Sequence, residues 1–69
     1  MDVQKQFGDR LKEIRLKNDV SQEALAAAAD LHRTYVSSVE RGERNISLVN
    51  IARLADALHV PIREFFPGK

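Results

Sequence analysis

Arginines and short hydroxyl side chains recur between residues 33 and 41, as Arg33, Thr34, Ser37, Ser38 and Arg41. On a helix of about 100° per residue they fall within an arc of about 140°. Tyr35, Val36, Val39 and Glu40 occupy the complementary arc, so one face is cationic and hydroxylated and carries no acid. Such a face suits the edges of paired bases. A guanidinium fork matches guanine O6 and N7, and hydroxyls are short enough to approach a base closely. An ordinary solvated surface explains a polar face equally well, since any surface helix has one. Three features tilt the reading toward nucleic acid. The outward residues are hydroxyls flanked by Arg rather than the Glu and Lys of a solvated face. Arg33 and Thr34 occupy the first turn, the end of a recognition helix that enters the major groove. Gln22 and the backbone at Ser21, where the preceding helix opens, combine an amide with N-terminal N–H groups that can clamp a phosphate.

Other chemistry finds less support. Ser37 and His32 are both present, but on an open helix face with no orienting acid, which speaks against a nucleophilic enzyme. The absence of Cys removes disulfides and thiolate-ligated zinc. His32 and His59 are too few for a structural metal site without carboxylate help. No cofactor or small-molecule ligand is expected. Eleven basic and ten acidic residues leave a net charge of +1, so any nucleic-acid reading must rest on where the charges sit. No apolar run approaches the roughly 20 residues of a membrane span, and Met1 is not followed by a basic-then-apolar leader. A cytoplasmic setting without membrane partners is expected.

The elements that must hold this face are helical. Sixty-nine residues make one domain, 1–69, and at this size the core must be an efficient helical one. Five segments emerge from the apolar spacing. The first runs from about Val3 to Lys17 on Val3, Phe7, Leu11 and Ile14. Ser21 caps a second, with Glu23 in its first turn and alanines small enough for close crossing. The third runs from His32 or Arg33 to Arg41 and is ended by Gly42. Ser47 caps a fourth with the apolar set Leu48, Ile51, Leu54, Ala55 and Leu58. Pro61 opens a short fifth carrying Ile62, Phe65 and Phe66, and Pro67 with Gly68 stops it. The second and third segments, joined by a turn of about three residues, have helix-turn-helix spacing. The expected fold is all-α, a compact five-helix orthogonal bundle.

Ser21-Gln22-Glu23-Ala24-Leu25-Ala26, Tyr35-Val36-Ser37-Ser38-Val39-Glu40-Arg41-Gly42-Glu43-Arg44 and Ile51-Ala52-Arg53-Leu54-Ala55-Asp56-Ala57-Leu58 resemble the Cro/repressor helix-turn-helix regulators of bacteria and phages. The resemblance covers Phe7 to Phe66. The run Leu31-His32-Arg33-Thr34-Tyr35-Val36-Ser37 is similar to the controller proteins of restriction–modification systems. It implies a λ-repressor-like fold with the helix-turn-helix at helices 2 and 3. It also implies that Gln22 and Ser21 hold phosphate and that Arg33, Thr34, Ser37 and Ser38 face the major groove. Arg33 is then the bidentate guanine reader. Arg41, Arg44 and Asn45 would touch the flanking backbone, with a solvated loop an equal explanation for the last two. Tyr35 would pack on the core and extend its hydroxyl to a phosphate. His32 stands where the family has a Ser or Thr cap, and it serves either as a phosphate contact when protonated or as a tolerated replacement. Arg15 and Glu40 match positions that form a buried ion pair. Asp30 replaces the family's turn glycine, and Asp tolerates the left-handed conformation better than most residues.

One short helix reads only about four or five base pairs, too few to find one site among ~10⁶–10⁹ competitors. A homodimer on half-sites about one helical turn apart doubles the readout. Phe66 and Ile62, with Asn50 and Ile51 of the fourth helix, are the expected two-fold surface; the alternative is that the C-terminal apolar residues cap the monomer core. Activation would need a patch that meets RNA polymerase, and no residue marks one. The favoured function is a DNA-binding, autoregulating transcription regulator. The alternative is an antitoxin or anti-regulator whose main partner is another protein.

Overall fold

The computed structural model describes residues 2–68. Four α-helices follow one another: α1 Val3–Lys17, α2 Gln22–Ala29, α3 Arg33–Glu40 and α4 Leu48–Leu58. A 3-10 turn, Ile62–Phe65, follows α4. Sequence spacing placed a fifth helix there, and the structure corrects its type. Pro61 and Pro67 leave only five residues between them, too few to establish an α-helical hydrogen-bond ladder.

Side-chain caps set the helix starts. The carboxylate of Asp2 accepts from the Lys5 amide at 3.1 Å. Ser21 Oγ accepts from Ala24 at 3.0 Å and Ser47 Oγ from Asn50 at 3.1 Å. His32 makes no side-chain cap to α3. Each α-helix ends through a left-handed residue: Asp19, Asp30, Gly42 and His59. At the end of α3, Gly42 N–H donates to Val39 C=O and Glu43 N–H to Ser38 C=O, which closes the last turn. Asp30, at φ 59°, makes the same arrangement after α2, with Leu31 N–H donating to Ala26 C=O. This is the turn between the two helices of the motif.

One core unites the helices. Phe7, Leu11 and Ile14 of α1 meet Leu25, Ala26 and Ala29 of α2, Val36 and Val39 of α3, and Leu54, Ala55 and Leu58 of α4. Phe65 closes it, its ring edge-on to Phe7 with centroids 5.1 Å apart. Two expected core positions stay outside. Val3 is 61% exposed and Leu48 75%. Gly8 lets α1 run against the end of α3. A Cβ there would collide with the carbonyl oxygen of Val39 and lie 2.7 Å from that of Glu40.

Candidate nucleic-acid interface

Helix α3 presents Arg33, Thr34 and Arg41 outward while Val36 and Val39 anchor it. Arg33 and Thr34, in its first turn, are exposed, and neither side chain has a hydrogen-bond or ion-pair partner among the described residues. Their donors are therefore available to a ligand. Ser37 is half-buried, and its Oγ accepts from Arg41 Nη1. Arg41 Nη2 donates to the Glu43 carboxylate at 3.1 Å. That hydrogen bond holds the Glu43 carboxyl below its ordinary range and raises the Arg41 guanidinium in turn. His32 and Asn45 are exposed at the two ends of this face.

Ser38 departs from the expected arrangement. It is only 8% exposed, and its hydroxyl donates to the Tyr35 carbonyl at 2.8 Å and accepts from Arg44 Nε at 3.2 Å. Its position at the margin of the polar arc puts it beneath the loop that follows α3, so it supports Arg44 rather than facing outward. The Arg44 guanidinium also lies over the Tyr35 ring, 5.4 Å from the centroid. Tyr35 is half-buried, and its hydroxyl accepts from Asn50 Nδ2 at 3.0 Å. Asn50 thus reaches across to α3, and Ile51 packs half-buried against the core.

Beneath the face lies a polar clamp joining all three N-terminal helices. Arg15 Nε and Nη2 donate to the two Glu40 carboxylate oxygens at 2.6 and 3.1 Å. Both side chains are buried. Arg15 Nη1 donates to the Val20 carbonyl at 2.8 Å. Gln22 Nε2 adds a 3.0 Å bond to Glu40. The amide that sequence reasoning assigned to phosphate is thus engaged inside the protein, leaving Ser21 and the start of α2 as the exposed part of that corner. A charge buried this way is tolerable only because every polar atom around it is paired, and no buried side-chain N or O among the described residues lacks a partner.

The geometry is that of two short crossed helices, the second held by its apolar side and offering its first turn to a ligand. A family model described as helix-turn-helix, HTH_3, matches residues 11–65. The chain belongs to this helix-turn-helix family. Among its relatives is the control protein C.MunI of a Mycoplasma species, 47% identical over 66 residues, covering 94% of this chain and 89% of that protein. The control protein C.BamHI of Bacillus amyloliquefaciens is 54% identical over 55 residues, covering 78% of this chain and 68% of its own. The crystal structure of the restriction-modification controller protein C.AhdI from Aeromonas hydrophila superposes with a TM-score of 0.90 at 52% identity, over 91% of this chain and 96% of that one.

Two parts of the helix-turn-helix chain were missed by sequence reasoning. The Ser38–Arg44–Tyr35–Asn50 cluster joins residues from α3, a loop and α4, and no linear spacing announces it. The other is the exposure at the start of α4, 75% for Leu48, expected in the apolar stripe, and 62% for Val49. Val49 sits one position outside the helical apolar stripe, which was its only sequence signal. In the C-terminal turn Ile62 and Phe66 are exposed, Phe66 leaning on Phe7 with centroids 5.7 Å apart. No helix among the described residues is long and apolar enough to cross a membrane.

Proposed function

We propose that this chain is a sequence-specific regulator of transcription that binds double-stranded DNA as a homodimer, in the manner of restriction–modification controllers. The observation that carries the reading is the exposed first turn of α3. There Arg33 and Thr34 stand unpartnered on a helix whose inner side is locked by the core and by the Arg15–Glu40 clamp. A rigid helix with an unsatisfied guanidinium at its N-terminal end is what bidentate reading of guanine in the major groove requires. Ser37 and Arg41 continue the face. Arg44, Asn45, His32, Ser21 and the N-terminal backbone of α2 lie around it as phosphate contacts.

The second copy docks through Leu48 and Val49. These are the two most exposed large apolar side chains among the described residues, adjacent at the helix start that follows the α3 loop. A molecule with extents of 30 × 22 × 21 Å suits a dimer whose α3 helices lie roughly 34 Å apart, one turn of the duplex. Regulation then follows concentration, because only the dimer reads both half-sites. Autoregulation is the circuit this supports.

The test begins with a randomised pool of double-stranded DNA, from which the wild-type chain selects its preferred duplex. Binding of that duplex is then titrated at several salt concentrations. Arg33→Ala should cost about 1–3 kcal/mol and relax preference at one base position. Arg41→Ala should weaken all duplexes alike and lower the salt slope by about 1. Equal loss on selected and random duplex for Arg33→Ala would remove its role as a base reader.

A further inference from the structure

Tyr35 is held from two sides. The Arg44 guanidinium covers its ring and is itself tied to Ser38 Oγ, while Asn50 reaches from α4 to its hydroxyl. The direction of that last bond matters. The Asn50 amide donates, so the Tyr35 oxygen accepts, and the phenol's own proton has no acceptor among the described residues. A tyrosine hydroxyl carries one proton. With a lone pair occupied by Asn50, that proton is left for an acceptor outside the described contacts, beside the exposed Arg44 and on the helix that carries Arg33 and Thr34.

We infer that Asn50 is a positioning residue for DNA binding: by donating to the Tyr35 hydroxyl it fixes that group's polarity and presents the phenol proton to an acceptor on the duplex. The acceptor is a phosphate oxygen or an oxygen or nitrogen on a base edge, which share this chemistry. The inference rests on reading α3 as the DNA-facing helix and assigns to α4 a part in recognition without contact. Asn50→Asp reverses the polarity, because a carboxylate takes the phenol proton for itself. Tyr35→Phe removes the hydroxyl and keeps the ring under Arg44.

The variants Asn50→Ala, Asn50→Asp, Tyr35→Phe and Asn50→Asp/Tyr35→Phe are compared with wild type on the selected duplex and on a random one. Tyr35→Phe should weaken binding to the selected duplex by roughly threefold to tenfold, the range of one neutral hydrogen bond, with the salt slope unchanged. Asn50→Asp should weaken it at least as much in the wild-type background and clearly less in the Tyr35→Phe background. Asn50→Ala should fall between, with its thermal midpoint near wild type. Tyr35 is the single tyrosine and there is no tryptophan, so intrinsic fluorescence reports that ring alone. Its emission should change on binding in the wild type and respond less in Asn50→Asp. Loss on both duplexes identifies a phosphate acceptor, and loss on the selected duplex alone a base; either supports the inference. It is overturned if Asn50→Asp and Tyr35→Phe losses multiply independently, or if Tyr35→Phe binds as wild type. A wild-type chain that selects no duplex overturns the α3 reading, and this inference with it.

Discussion

Arg41 is the residue at which protein and ligand compete most directly. Its guanidinium is shared between Ser37 and Glu43, and the Glu43 carboxyl is held low by that bond. A carboxyl with a lowered pKa keeps its partner at neutral pH and releases it only as pH falls below the ordinary carboxylate range. At neutral pH a phosphate therefore shares Arg41 with the Glu43 carboxylate, whose charge opposes it. Glu43→Gln should raise affinity for any duplex a few-fold and steepen the salt dependence by up to about one counterion. Titrations at three or more salt concentrations check this, and an unchanged slope would mean that Arg41 meets no phosphate. Arg33 meets no such opposition, having no partner among the described residues. Most of the exposed residues of this face were legible in the sequence, because a helical wheel sorts residues by angle. Ser38 was not, since a wheel carries no knowledge of the loop that folds back over its edge.

At the scale of the elements, α3 can serve as a probe only if its angle to α1 and α2 is fixed. The Arg15–Glu40–Gln22 clamp and the glycine contact of α1 at Gly8 do this together. Arg15→Ala would leave the Glu40 carboxylate buried without its cation, at a cost of about 3–5 kcal/mol. For a domain of this size that is much of the total stability. The expected outcome is a thermal transition displaced far downward or lost. The paired replacement Arg15→Met with Glu40→Leu, measured in the same denaturation experiment, should recover most of it, because no charge is then stranded. A single Arg15→Ala variant as stable as wild type would contradict the clamp. The ion pair was anticipated from the family pattern, whereas Gln22 was read as a phosphate ligand. Its amide also bonds Glu40, a contact that only the crossing of α2 over α3 decides.

For the molecule as a whole, the balance of exposed apolar surface determines assembly. Phe65 completes the monomer core, leaving Val3 and Leu16 of α1 outside together with Leu48, Val49, Ile62 and Phe66. Leu48→Lys should leave the thermal midpoint nearly unchanged, since so little of that side chain is buried. Sedimentation equilibrium should then show a monomer, with weaker and less steeply concentration-dependent DNA binding. If Phe66→Lys alone produces the monomer, the two-fold surface lies at the C-terminal turn instead.

Four helices, two of their caps and the stop after α3 follow from local chemistry that the sequence states outright. Hydroxyl caps at Ser21 and Ser47, apolar steps of three and four, and a glycine at 42 act within one or two turns of backbone. The same local logic located α3 and its exposed arginine, Arg33. Tertiary structure alone decided which polar groups are spent inside the protein and which remain for a ligand. Ser38, Gln22 and Asn50 turned inward, and Leu48 turned out. Such choices depend on what neighbouring elements bring to within hydrogen-bond or van der Waals distance. Residues far apart in the chain meet only when the helices pack.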